Sequence, residues 1–312
     1  MTLPSRVCDP HHHLWEVPGM EYRPSDLLAD LATVTEVATT VFVECGAWYR
    51  TTGPEHLRVV GETEWVVANG PAQIAGIVGA GDLRLGSLTA EMLEAQVVAA
   101  GGRLRGIRQR ATWDAHPSIK PGVPYAGNGL LLDPWFRRGF EVLHAMGLSF
   151  DAWMYFPQLS DLVDLTRAFP DTPIVLNHLG GPITLGPYGD RAATLDIWRP
   201  LMAEVAGCPN VFLKIGGIGM PMYVATGDRS TGRVGGAKAT TDEVVELWTD
   251  PVRYCIEAFG TERCMFESNF PVDKLTVSYA TLWEAFDVMS ADLSTAERAD
   301  LFHDTAVRAY QL

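Results

Sequence analysis

Short apolar runs recur along the chain at 6–11, 40–45, 74–80, 104–109, 148–153, 174–178, 211–215 and 264–268. Most are near-continuous Val, Ile, Leu and Phe rather than strict alternations of apolar and polar positions, the pattern of parallel strands covered by helices. The longer segments between them carry helix punctuation. Asp133 followed by Pro134 reads as an N-cap and first helical residue, with Gly147 closing that helix. Thr240-x-x-Glu243 and Ser294-x-x-Glu297 are capping-box patterns that open two late helices. This strand–helix alternation predicts an α/β fold, a single (β/α)8 TIM barrel occupying residues 1–312 as one domain. The rival is a doubly wound open sheet, but no GxGxxG follows the first run and the count of eight favours closure.

Two connections are longer than the usual few residues, 111–132 after the fourth run and 216–239 after the seventh. Both follow strand C-termini, the catalytic face of a barrel, and are expected to act as lids over a substrate rather than as plain variable surface.

Composition narrows the partners. The charge of −14, from 24 Lys+Arg against 38 Asp+Glu, disfavours nucleic acid and anionic membranes. The five cysteines are scattered and form no CxxC pair, so neither a disulfide framework nor a thiolate zinc site is signalled. With no apolar leader and no run near ~18 apolar residues, the expectation is a cytoplasmic protein acting on a small molecule. A homo-oligomer stays open.

Candidate chemistry concentrates at the ends of the predicted strands. In Asp9-Pro10-His11-His12-His13-Leu14-Trp15, His11 and His13 are two apart and share a strand face. Facing the barrel interior, they would converge at the mouth, suited to gripping a divalent metal or a substrate oxygen; His12 has the other parity and reads as structural. His178 ends the sixth strand before Gly180-Gly181 and is a candidate third member. Arg108 and Arg110 share parity at the end of strand four. They form either a fork for a substrate carboxylate or ion pairs with the excess of acidic residues. Lys214 is a weaker candidate of the same kind. Trp113, Trp153, Tyr155 and Phe156 could wall a cyclic substrate or simply fill the core.

Together, D-P-H-x-H-L-W, N-H-L-G-G-P and S-x-F-P resemble the amidohydrolase superfamily, more closely its amidohydrolase 2 branch of TIM-barrel hydrolases. That branch contains lactonases acting on pyrone dicarboxylate and sugar lactones, and related decarboxylases. The resemblance implies that His11, His13 and His178 are active-site histidines and metal ligands. It places Asn269 where the family normally has a strand-eight aspartate. An amide neither ligates metal well nor takes a proton from an attacking water. Strand five offers Asp151 but no Lys or His, so at most one divalent metal is expected, Zn foremost, held weakly or not at all. For the missing base the candidates are Asp273 and Glu44; Glu44 could instead be ion-paired with a barrel-mouth arginine. Glu267 shares the parity of Asn269 but sits one layer deeper.

The expected function is a hydrolase that opens a lactone or similar cyclic ester of a carboxylated small molecule. Water would attack a carbonyl polarised by the histidines, with or without a metal. A metal-dependent decarboxylase or other lyase is the alternative, and a small-molecule binding protein without catalysis is the third reading.

Overall fold

The computed structural model describes residues 2–120, 127–223 and 238–312. Eight strands follow one another around a barrel: β1 (Val7–His12), β2 (Val37–Val43), β3 (Ile74–Ala80), β4 (Leu104–Arg108), β5 (Ser149–Ala152), β6 (Ile174–Leu176), β7 (Val211–Ile215) and β8 (Cys264–Phe266). Each pairs in parallel with the next, in the order β1 to β8. Closure is made just past β8. Asn269 N–H donates to the His11 carbonyl at 2.9 Å, and His13 N–H to the Phe270 carbonyl at 2.7 Å. The open-sheet alternative is excluded by this seam, and the fold is the expected (β/α)8 barrel.

The helices that cover the strands are α1 (Pro24–Leu31), α2 (Val60–Asn69), α3 (Leu88–Ala100), α4 (Pro134–Ala145), α5 (Leu159–Ala168), α6 (Arg191–Ala206), α7 (Thr241–Phe259) and α8 (Tyr279–Met289). Their starts follow the local chemistry. Asp133 accepts from Trp135 N–H with Pro134 in the first turn of α4, and Thr240 and Glu243 complete a capping box on α7. Ser294 and Glu297 do the same for α9 (Thr295–Ala299).

Two separate apolar clusters build the interior. The larger lies between strands and helices. The smaller fills the barrel lumen with Cys8, Val41, Val43, Val78, Val175 and Met265, and is sealed from below by Ala306, Ala309 and Tyr310. Those last three belong to α10 (Thr305–Tyr310), so the end of the chain plugs the barrel floor. Polar side chains occupy the opposite end of the lumen, at the strand C-termini. Both long connections lie only partly within the described residues: 121–126 of the first and 224–237 of the second fall outside them.

Candidate active site

The site begins at a defect in β1. Asp9 pairs with Thr40 and His12 with Phe42, so three steps on β1 span two on β2. Pro10 within this bulge has no N–H to give to the ladder. The bulge leaves His11 in the lumen and His13 just beyond the strand, with ring centroids 4.9 Å apart. Asp9 anchors it: Oδ1 accepts from Ser268 N–H (3.0 Å) and Oδ2 from the Tyr279 hydroxyl (2.9 Å). His12 turns away to Thr40 Oγ1 at 2.9 Å, as its parity predicts.

On the far side, His178 and Leu179 adopt left-handed backbone at φ 55° and 53°, and Asn269 does so at φ 54°. Each such non-glycine residue stores about 1–3 kcal/mol of strain, and such residues cluster at functional sites. The turn brings the His178 ring to 4.6 Å from His11, and Gly216 and Gly217 make the space. A Cβ on Gly216 would lie 2.2 Å from Glu267 Cγ, and one on Gly217 2.8 Å from His178 Cγ.

Glu267 joins the two rings. Its Oε1 lies 2.6 Å from His178 Nδ1 and accepts the His178 N–H at 3.2 Å. Its Oε2 lies 2.7 Å from His11 Nδ1, but off the line that a hydrogen bond needs. Burial pushes the Glu267 carboxyl up to about 8, against the opposing pull of Lys214. Burial also holds His178 well below the ordinary histidine range, with Arg108 and Lys214 adding to the effect. His178 is therefore a neutral imidazole oriented by the Glu267 carboxyl group, and its Nε2 has no hydrogen bond to the described residues. His13 is neutral for the same first reason and gives Nδ1–H to the Val43 carbonyl at 2.8 Å. Trp153 stands edge-on to His178 at 4.7 Å, and Trp15 stacks on His13 at 5.7 Å.

The other side of the mouth is an ion-pair cluster. Arg108 Nε and Arg110 Nε reach Glu44 Oε1 at 2.7 and 3.0 Å, and Arg108 Nη2 donates to the Glu44 carbonyl. Burial alone would raise the Glu44 carboxyl, but Arg110 and Arg108 outweigh it and hold it at about 2.

Several sequence expectations change here. The arginine pair does not stand as an open carboxylate fork, because Glu44 occupies it. Glu44 is a counter-ion, too acidic to serve as a base at neutral pH. Lys214 has no exposed surface and pairs with Asp151 at 2.8 Å. Asn269 turns its amide to Asp273 Oδ1 at 2.7 Å. Asp273 also accepts the Gly219 N–H at 2.8 Å, and burial pushes it well above the carboxylate range. The Tyr155 hydroxyl is spent on the Lys120 carbonyl, whereas Trp113 is half-buried above strand four.

The metal expectation also shifts. The donor atoms that converge, all within 4.8 Å of one another, belong to His11, His178 and Glu267; His13 is outside this group. These three could hold a metal ion, but the surroundings fit one poorly. Arg108 Nη1 lies 3.2 Å from His11 Nε2 and Lys214 Nζ 3.3 Å from its Nδ1, so both ring nitrogens face a cation. An ion ligated by His11 would have to displace Arg108 or Lys214 from its ring nitrogens.

The chain matches the amidohydrolase family over residues 8–312, and it belongs to that family. It is 32% identical to the uncharacterized protein y4mH of Sinorhizobium fredii, with 98% of each chain covered. It is 30% identical to an L-fucono-1,5-lactonase of Burkholderia multivorans, over 77% of this chain and 73% of that one. A crystal structure of a Burkholderia multivorans amidohydrolase with bound Zn superposes with a TM-score of 0.75 at 24% identity, covering 98% and 99% of the two chains.

Proposed function

We propose that this protein is a lactonase in which His178, oriented by Glu267, activates the attacking water. The observation that carries the reading is the Glu267–His178 pair, with a strained backbone under the histidine and an Nε2 that makes no hydrogen bond to the described residues. Nε2 takes a proton from water as its oxygen bonds to the lactone carbonyl carbon. Ionised Glu267, the form present above about pH 8, accepts a hydrogen bond from Nδ1–H and stabilises the imidazolium. The ring C–O bond then breaks, and the imidazolium returns the proton to the departing alkoxide, leaving a hydroxy acid. The positive field of Arg108 and Arg110 favours the oxyanion, and Trp15 and Trp153 give the ring apolar walls. No step runs through a metal, because two cations already crowd His11.

A neutral, hydroxylated lactone suits this mouth better than a carboxylated one, since Glu44 already occupies both guanidinium groups. The L-fucono-1,5-lactonase relative supports the same substrate class. The test is acid release from a panel of sugar lactones and carboxylated lactones, with hydroxybenzoates as decarboxylation controls. Turnover of neutral lactones should persist after chelation and fall by about 10²–10⁴ in His178→Ala. Release of CO₂ without lactone opening, or full activity in His178→Ala, overturns the reading.

A further inference from the structure

The last helix of the chain reaches the catalytic centre from below. The Tyr310 hydroxyl lies 2.9 Å from both carboxylate oxygens of Asp151. Asn177 Nδ2 donates to Asp151 Oδ2 at 2.9 Å, and Lys214 Nζ donates to the same oxygen at 2.8 Å. Lys214 Nζ then approaches His11 Nδ1 at 3.3 Å while lying 5.1 Å from the centre of the Tyr310 ring. None of these side chains meets solvent: Asp151, Asn177, Lys214 and His11 are 0% exposed and Tyr310 1%.

This array is hard to explain as packing. The lumen beneath it is apolar, and a buried Lys–Asp pair gives no more stability than well-packed hydrophobic side chains of the same volume. A lysine on its long flexible stem has no position of its own in such a lumen, so Asp151 sets where the ammonium stands. Tyr310 and Asn177 in turn fix Asp151. The ammonium is aimed at the one imidazole that already faces Arg108 on its other nitrogen. A neutral imidazole has a single acceptor nitrogen, so Lys214 and Arg108 compete for His11. The outcome decides which ring nitrogen of His11 carries the hydrogen.

We infer that Asp151 and Tyr310 are positioning residues of the catalytic centre, acting through Lys214 on His11. The inference rests on the reading of Glu267 and His178 as the catalytic pair, because His11 shares Glu267 with His178. It makes the C-terminal helix part of the active site as well as the plug of the barrel.

The test uses the full chain with ¹⁵N-labelled histidine, comparing Tyr310→Phe and Lys214→Met with the unaltered protein. Both substitutions should move the His11 ring signals towards the form with hydrogen on Nδ1 and acceptance from Arg108 at Nε2. With a lactone substrate, Tyr310→Phe should lower kcat roughly tenfold, equal to about 1.4 kcal/mol, and leave KM unchanged. Asp151→Asn reports on the same array should Tyr310→Phe fail to fold. Unchanged His11 signals and unchanged kcat, with only a lower melting temperature, reduce the array to scaffolding and overturn the inference. If the unaltered protein opens no lactone, the proposed function fails, while the His11 signals still decide this point.

Discussion

On the β2–β4 side of the mouth, Glu44 is closed between two guanidinium groups; on the β1–β6–β8 side, Glu267 is closed between two imidazoles. Both carboxylates are buried at strand ends, yet the first is held at about 2 and the second is raised to about 8. The difference lies in the partners. Arginine is charged at every accessible pH and turns its carboxylate into a permanent anion. A buried imidazole is neutral and leaves the carboxyl free to take up or release a proton. One side is thus an electrostatic fixture, and the other is able to move a proton.

The sharpest way to break this comparison is Glu267→Gln. The amide keeps the shape of the side chain but cannot stabilise an imidazolium on His178, so lactone turnover should fall by about 10²–10⁴. Stability should hold or rise, because a carboxyl that burial already disfavours is replaced by a neutral group. Steady-state kinetics beside a denaturation curve check both halves. A variant that melts early and keeps its turnover would make Glu267 a structural residue.

Glu44→Gln should do the opposite. It leaves two guanidinium groups without their anion, one of them 3% exposed, and breaking a buried pair this way costs about 3–5 kcal/mol. Adding Arg108→Met should recover part of that loss, since the stranded charge is removed. Denaturant unfolding of the single and double variants measures the recovery. If the double variant is less stable than Glu44→Gln alone, the cluster is not held by charge balance.

These two sides were not equally legible in the sequence. The strands were, because their apolar runs are dense: 74–80 and 211–215 coincide with β3 and β7. Strand β2 starts at Val37, earlier than the apolar run at 40, because Val7 pairs with Val37 across a stretch containing Thr39 and Thr40. His11 and His178 stood out as histidines at strand ends. Glu267 is less legible, because the neighbouring S-x-F-P pattern points to Asn269. Backbone geometry reversed their parts: β8 ends at Phe266, and the left-handed turn at Asn269 sends the amide to Asp273 while Glu267 meets the histidines. The signal available was a lone acidic residue ending an apolar run. The Asp151–Tyr310 contact joins residues 159 apart, and no local pattern encodes such a partner.

The smallest effect concerns Glu62, which lies beside the arginine cluster yet behaves like the histidine side. Burial, and then the nearby Glu44 anion, push its carboxyl up to about 7, although it accepts the Cys45 and Ala47 N–H groups at 3.0 and 2.8 Å. Arg108 and Arg110 pair with Glu44, and among the described residues Glu62 has no ion pair and its Oε2 has no hydrogen-bond partner. Its folded pKa lies above the unfolded value of about 4.5. Between those values the folded state keeps a proton that the unfolded chain has lost, so stability falls as pH rises from about 4.5 to about 7. Glu62 alone contributes a slope of at most ~1.4 kcal/mol per pH unit in that window. Above it both states are ionised and the slope vanishes. In Glu62→Gln the side-chain carbonyl still accepts the two backbone N–H groups, and no proton is exchanged. Unfolding free energies measured at several pH values across the window should therefore decline less steeply in the variant than in the unaltered protein. Equal slopes would mean that Glu62 is ionised throughout, and that the field of Arg108 and Arg110 extends past Glu44.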